Sequence, residues 1–380
     1  MTDVAVAGVG VAGAFALRAL SKDLKVIGID KRQKLGYPVE CGEIIPTKDE
    51  MKLLLPDLDD YSLFDIPKRF ESNRTKEFQF ILPNGKTFHV DFEMHVVRRD
   101  EMIESVAMNS GHEIMLGTRV SDFKDGELVL SNGETLKPKI IVASDGANSK
   151  IAKKMGLWNY DIVPAKQYLM RNVECDEDVI YMYVGKDIAA GGYAWIIPKG
   201  DGYANVGVGF RREFAKPGDN IHKALDRFVK EYPYSSPMLK NAEIVQRIGA
   251  VVPVDLPLSS AVHGNVLFAG DSASMIISHV GAGIPTSMLA GDMVGKVINE
   301  YFEGGELEKY DRLWKDAMLD VMERSYFIKT LWDKISDTDE RMVKYFKLVS
   351  NRDMWLVLRS KVPYKLKIAS VLLPILNIFL

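Results

Sequence analysis

Five short stretches of this chain carry residue types and spacings fit for chemistry. The first is Gly8-Val9-Gly10-Val11-Ala12-Gly13, set between the apolar run from Asp3 to Ala7 and a second run from Ala14 to Leu20. A strand that turns on glycines into a helix presents the free N–H groups of the helix to a pyrophosphate, and the absent side chains let the backbone come close. A further apolar run, Leu24 to Ile29, ends in Asp30, about 20 residues past the glycines, where a carboxylate grips an adenosine ribose. Strand, turn, helix, strand and acid in that order argue for a bound dinucleotide, and nothing in them separates NAD from FAD. Two more loops pair Asp with Gly after apolar runs: Ser144-Asp145-Gly146 after Ile140 to Ala143, and Gly270-Asp271 after Val266 to Ala269. The latter leads into Gly281-Ala282-Gly283-Ile284. The remaining stretches are Pro38-Val39-Glu40-Cys41-Gly42-Glu43, with a thiol, and Tyr193-Ala194-Trp195-Ile196-Ile197-Pro198-Lys199. Tyr193 and Trp195 stand two apart and share one face of a strand.

The elements that must position these residues follow from patterning. Phe88, Val90 and Phe92 alternate with Thr87, His89 and Asp91 after the turn signal Pro83-Asn84-Gly85, which predicts a hairpin between Phe78 and Phe92. Arg99-Asp100 opens a helix reaching about Ser110. Residues 163 to 255 read as a mostly β layer crossed by one helix near Asn220 to Tyr232, and Leu307 to Val349 reads as helical. The nucleotide-binding pieces are thus scattered. The expectation is an α/β protein: a Rossmann-like domain assembled from discontinuous segments (1–75, 94–162 and 260–302), an inserted, mainly antiparallel β-sheet substrate domain (76–93 and 163–259), and a helical C-terminal region (303–380).

Composition excludes several classes. With 380 residues the chain can bury a large core. A net charge of −3 gives no reason to expect nucleic acid. Two cysteines, Cys41 and Cys175, rule out a disulfide framework and a cysteine-bound iron–sulfur cluster, and fit a reducing compartment. No metal site is expected. The first strand begins at about residue 3, with no signal peptide ahead of it. From Ile368 to Leu380 no side chain is charged, and Lys361, Lys365 and Lys367 precede that end. It is too short to span a bilayer, which takes about 20 apolar residues. It suits either a segment lying on an anionic membrane surface, which would make the protein cytoplasmic and peripheral, or a helix packed on the protein's own core.

The ordered set of glycine turn, Asp145 loop and Gly270-Asp271 loop resembles the flavoproteins built like para-hydroxybenzoate hydroxylase. The P-x-x-C-G-E and Y-x-W-x-I-P stretches further resemble the geranylgeranyl reductase family, over essentially residues 1 to 300. The resemblance implies FAD, held by Gly8, Gly10, Ala12, Gly13, Asp30, Lys31, Cys41, Gly42, Arg99, Val120, Asp145, Gly146, Gly270, Asp271, Gly281, Ala282, Gly283 and Ile284. It implies reduction of isolated prenyl double bonds in membrane lipids, geranylgeranyl diphosphate or chlorophyll side chains. Tyr193, Trp195 and Pro198 would then line a prenyl tunnel.

An unactivated alkene needs a hydride at one carbon and a proton at the other; the cofactor carries the hydride chemistry and the protein orients it. Cys41 is the candidate to relay the proton or to gate the flavin. Family members often carry Asn-Pro ahead of this glycine run, a stretch occupied here by Ile277-Ser278-His279, which makes His279 a candidate acid–base group. Cys175, flanked by Glu174 and Asp176, is expected to be sluggish. Rival readings are a flavin monooxygenase or halogenase, an electron-transfer flavoprotein, and a non-redox isomerase on the same fold. No second glycine-turn unit follows a clear strand, so reducing equivalents are expected from transiently docked NAD(P)H or a ferredoxin-like donor.

Overall fold

In the computed structural model, which describes residues 2–368, the chain is organised on two large sheets and a small one. The six-stranded sheet runs, edge to edge, Val262–His263, Val266–Phe268, Ile140–Ala143, Val4–Ala7, Val26–Ile29 and Glu113–Met115. All pairs are parallel except that of the short Val262–His263 edge. Val4–Ala7 and Ile140–Ala143 are buried at every position, as a parallel strand covered on both faces requires. Helices Val11–Ala19 and Ile284–Phe302 pack against each other beside this sheet. The chain leaves Val4–Ala7 toward Val26–Ile29 on one side and later returns to Ile140–Ala143 on the other. Such a reversal of strand order opens a crevice at the carboxyl ends of the strands.

The eight-stranded sheet runs Glu243–Pro253, Ile162–Arg171, Tyr203–Gly209, Ala194–Gly200, Val179–Tyr183, Glu71–Ile81, Thr87–Val97 and Ile44–Pro46. It is antiparallel apart from the Val179–Tyr183 and Glu71–Ile81 pair. The predicted hairpin is present but longer, Glu71–Ile81 with Thr87–Val97, and Ile44–Pro46 adds an edge strand to it. The sheet therefore exceeds the expected 76–93 and 163–259 limits: the hairpin grows by pairing outward from its turn, and the stretch after Cys41 is drawn onto its edge.

One face of this sheet buries helix Ile221–Lys230 through Leu225 and Phe228. That helix starts where Asn220 accepts from the N–H groups of His222 and Lys223 at 3.0 and 3.1 Å. The other face carries Phe78, Phe92, Met94, Ile180, Met182 and Ile197 and meets Met342, Phe346, Met354 and Leu358 of the C-terminal helices. The expected helical run from Leu307 breaks after Ile335, because Thr338 caps a new helix, Asp339–Tyr345, by accepting from the Arg341 N–H at 3.1 Å. Among the described residues, no helix is long and apolar enough to cross a membrane. Residues 369–380, most of the apolar end, lie outside the described part.

Candidate active site

A cavity of about 1170 Å³ lies between the crevice of the parallel sheet and the apolar face of the eight-stranded sheet. Its first wall is made of loops. Gly8 follows Ala7 with φ +92°, and a Cβ there would sit 2.4 Å from the Ser144 carbonyl oxygen, so only glycine permits this turn beside the neighbouring strand. Gly10, Ala12, Lys31, Val120, Gly146, Gly281, Ala282, Gly283 and Ile284 also line the cavity, as expected. Two of the expected residues do not. Gly13 is behind the wall, where a Cβ would meet the Gly8 carbonyl at 2.0 Å; Gly270 is packed against Ser287 and Ala12. At both positions the missing side chain allows close approach of backbone to backbone or helix.

Asp30 lines the cavity but is already engaged: Oδ2 accepts from the Val9 N–H at 2.9 Å and Oδ1 from the Arg32 N–H at 2.8 Å. Each oxygen keeps a second acceptor site for a ribose hydroxyl. Asp145 Oδ2 accepts from the N–H groups of Lys150 and Ile151, while its buried Oδ1 has no partner among the described residues. Arg99 opens the helix Arg99–Met108 and its Nε is likewise buried without a partner. Burial pushes the Asp271 carboxyl up to about 6, opposed by the Arg99 guanidinium. Buried polar groups in native proteins are almost always paired. A buried Arg99 Nε without a partner, an Asp145 oxygen without one and the raised Asp271 acid, around a glycine-lined cradle, fit a bound flavin cofactor, which these residues would hold.

The second wall is a sheet face. Tyr193, Trp195 and Ile197 alternate into the cavity; Pro198, expected beside them, points to the opposite side, because successive strand residues alternate faces. Tyr193 donates from its hydroxyl to the Val280 carbonyl at 2.5 Å, tying this sheet to the glycine loop. The Trp195 indole lies across Gly207, where a Cβ would come within 2.4 Å of the ring. From there its N–H donates to Gln167 Oε1 at 3.0 Å, and Gln167 Nε2 donates to the Cys41 carbonyl at 3.0 Å. Sequence reasoning missed Gln167, which belongs to no motif.

Beyond these residues the cavity turns apolar, lined by Phe78, Phe92, Met94, Ile180, Met182 and Leu358. Another end is charged: Arg211, Lys329 and Asp333 line it, with Arg211 and Lys329 both bonded to Asp161.

Cys41 and Gly42 line the junction of the two walls. Burial pushes the Cys41 thiol up from its ordinary value, partly offset by the Arg99 guanidinium and by the Glu43 N–H, which donates to Sγ at 3.2 Å. Cys41 is therefore a thiol, able to hold and give a proton, rather than a resting thiolate. His279 also faces the cavity; its Nδ1 is 2.8 Å from Ser325 Oγ. Burial pushes its imidazole down to about 4. It is neutral near pH 7, so the expected acid–base role narrows: it can hydrogen-bond or accept a proton but does not stand ready as an imidazolium acid. Cys175 is pushed up to about 11, chiefly by burial and then by Glu177 and Asp176 rather than by Glu174, and is not among the residues lining the cavity.

The family model of the geranylgeranyl reductase catalytic domain matches residues 161–252. Over 366 residues the chain is 30% identical to the digeranylgeranylglycerophospholipid reductase of Methanospirillum hungatei, covering 89% of this chain and 87% of that protein. The Methanosarcina acetivorans protein of the same name is 30% identical over 369 residues, covering 89% and 86%. Among solved structures, a geranylgeranyl bacteriochlorophyll reductase-like protein from Thermoplasma acidophilum superimposes with a TM-score of 0.79 at 26% identity, over 92% of this chain and 91% of that one. A flavin-dependent brominase shares the fold with a TM-score of 0.68 at 16% identity, over 91% of this chain and 100% of that one.

Proposed function

Because the chain belongs to the geranylgeranyl reductase family and is an oxidoreductase on a flavoprotein fold, we propose that it saturates isolated double bonds in the geranylgeranyl chains of membrane glycerophospholipids, with FAD as cofactor. The carrying observation is that one cavity joins the Cys41 thiol and the glycine loop to the apolar face of Phe78, Phe92, Met94, Ile180 and Met182. A polyprenyl chain has no polar handle, so it is held by shape and exclusion of water, and this face supplies both. Gly281 to Gly283 and Asp271 would hold the flavin, which when bound and reduced would supply the hydride for one alkene carbon. Cys41 holds the proton for the other carbon, and Arg99 and the Glu43 N–H stabilise the thiolate left behind. Geranylgeranyl diphosphate is the alternative carrier of the same chain. NAD(P)H or a ferredoxin-like protein supplies the reducing equivalents.

The lipid is met at a membrane surface. Leu348 and Tyr364 are each 77% exposed, and Ile368 is exposed beside them. The Lys365 ammonium reaches the Leu348 carbonyl at 3.5 Å, which brings these segments together, and Lys344, Lys347, Arg352 and Lys367 are exposed along the same segments. Exposed apolar and basic side chains in the same segments suit peripheral contact with anionic lipid.

Mass spectrometry of a geranylgeranylated glycerophospholipid after anaerobic incubation with the dithionite-reduced protein tests the reading. A ladder of added hydrogen pairs is expected. An unchanged lipid, with flavin bound and reduced, overturns the lipid assignment; oxygen-dependent NAD(P)H consumption with an aromatic substrate would point to the oxygenase class instead.

A further inference from the structure

The loop that carries Cys41 is gripped at three successive residues by side chains of the eight-stranded sheet. Gln167 Nε2 donates to the Cys41 carbonyl at 3.0 Å. Asn205 Nδ2 donates to the Gly42 carbonyl at 3.2 Å and to Glu43 Oε2 at 3.0 Å. The Lys199 ammonium closes on Glu43 Oε2 as a nearly buried ion pair. Glu43 Oε1 accepts from the Arg99 N–H at 3.1 Å, and the Glu43 carbonyl accepts from the Val97 N–H at 2.8 Å. Every polar atom of Glu43 is thus engaged.

Glu43 also has φ +65°, in the left-handed region that favours glycine. Strained backbone of this kind persists only where its surroundings over-determine it, and it clusters at functional sites. The residue held in this conformation is also the one whose N–H donates to Cys41 Sγ, at 3.2 Å. A buried ion pair is weak evidence for stability, because the charges must be desolvated, so its placement here calls for another role.

We propose that the Lys199–Glu43 pair is a positioning device for Cys41, which anchors Glu43 so that its N–H stays on the thiol, and which neutralises a carboxylate that would oppose the thiolate formed on proton transfer. The inference rests on the reading of Cys41 as the proton donor. Arg99, Glu43, Asp271 and Tyr193 are the charged and titratable groups facing Cys41, from the helix after the hairpin, its own loop, the Gly270 loop and the sheet. Lys199 acts on the thiol through Glu43.

The chain has two cysteines, so in a Cys175→Ser background iodoacetamide reports on Cys41 alone. The pH profile of alkylation, measured on the flavin-bound protein, is the first readout. K199M strips Glu43 of its counter-charge and is expected to move the profile up by about one pH unit or more, whereas E43Q, which leaves Lys199 uncompensated, moves it down. In K199M, kcat for the prenyl substrate is expected to fall about tenfold to a hundredfold with KM little changed. K199R restores both readouts in large part.

Opposite shifts with rescue by arginine support the device. A profile that stays fixed in both variants while the flavin remains bound overturns it, even where thermal stability falls, because a merely structural pair would move melting and not the thiol. Should K199M fail to fold, E43Q decides by the same criterion. Full prenyl turnover by Cys41→Ser would remove Cys41 from the mechanism, and with it the proposed role of its partners. An inactive Cys41→Ser with unmoved profiles removes the device alone.

Discussion

The two walls of the cavity are built on opposite plans. The flavin wall is made of loops, each within a few residues of the carboxyl end of a parallel strand: Gly8 after Ala7, Asp30 after Ile29, Asp145 after Ala143, Asp271 after Phe268. The substrate wall is one face of a sheet. Gln167, Gly207, Trp195 and Met182 fall in a row across four strands, and Leu169, Asn205, Ile197, Ile180 and Phe78 in the next. A loop wall recognises through backbone groups and a few charged side chains, and at Gly8 it tolerates no side chain. A sheet wall recognises through shape, and every second residue of each strand contributes to it. The sharpest way to break the contrast is at Gly8. Gly8→Val places a side chain 2.4 Å from a backbone oxygen at a positive φ, which costs of order 1–3 kcal/mol in backbone strain before the clash is counted. The expected product is a protein purified without flavin absorbance and melting well below the parent. A yellow, stable variant would show that the loop wall is less constrained than its geometry says.

The junction of the walls comes next. Cys41→Ser keeps the shape of the loop but offers a hydroxyl that gives up its proton far less readily. Flavin content should be unchanged, while single-turnover reoxidation of the reduced protein by prenyl lipid slows about 10²–10⁴-fold, the range typical of a lost acid–base group.

This contrast also explains what could be read in advance. The loop wall was legible because its residues are contiguous and its constraint is local: a glycine at a turn and an acid at a strand end mark themselves. Gly13 and Gly270 fall in the expected turns but pack against backbone and helix outside the cavity lining, since a motif does not say whether a glycine faces a cavity or a packed helix. On the sheet wall, the alternation of Phe88, Val90 and Phe92 revealed a buried face without saying which body covers it. Gln167, Lys199 and Asn205 stayed invisible as partners because their link to Cys41 runs across strands more than 120 residues distant in sequence. Pro198 shows the converse error, a residue assigned from a motif whose strand parity sends it to the other face.

The apolar arm can be tested by filling it. Met182 lines the cavity next to Trp195 across a strand pair. Met182→Trp adds bulk to a face that must accept a long chain. The kcat/KM for full-length geranylgeranyl lipids is expected to fall about tenfold to a hundredfold, the scale on which apolar pockets discriminate, while a short prenyl analogue loses little. Equal losses for long and short chains would place the chain elsewhere.

The smallest effect concerns the charge on the flavin wall. Asp271 is pushed up to about 6 by burial, against the opposing pull of Arg99. In the flavin-free protein its folded value thus lies above its unfolded value of 3.8. The associated stability is present below about pH 4 and is lost as pH rises toward 6, by about 3 kcal/mol in total. On the proposed placement, ribityl hydroxyls would donate to the ionised carboxylate, so flavin binding would lower that value and release a proton. Affinity for FAD should therefore strengthen with rising pH, by up to tenfold per unit, and level off above about 6. Fluorescence titration of the stripped protein between pH 4.5 and 7.5 measures this, and Asp271→Asn should bind more weakly at pH 7 with the slope abolished. A slope that survives in Asp271→Asn would assign the titration to another group on the loop wall, with the partly engaged Asp145 next in line.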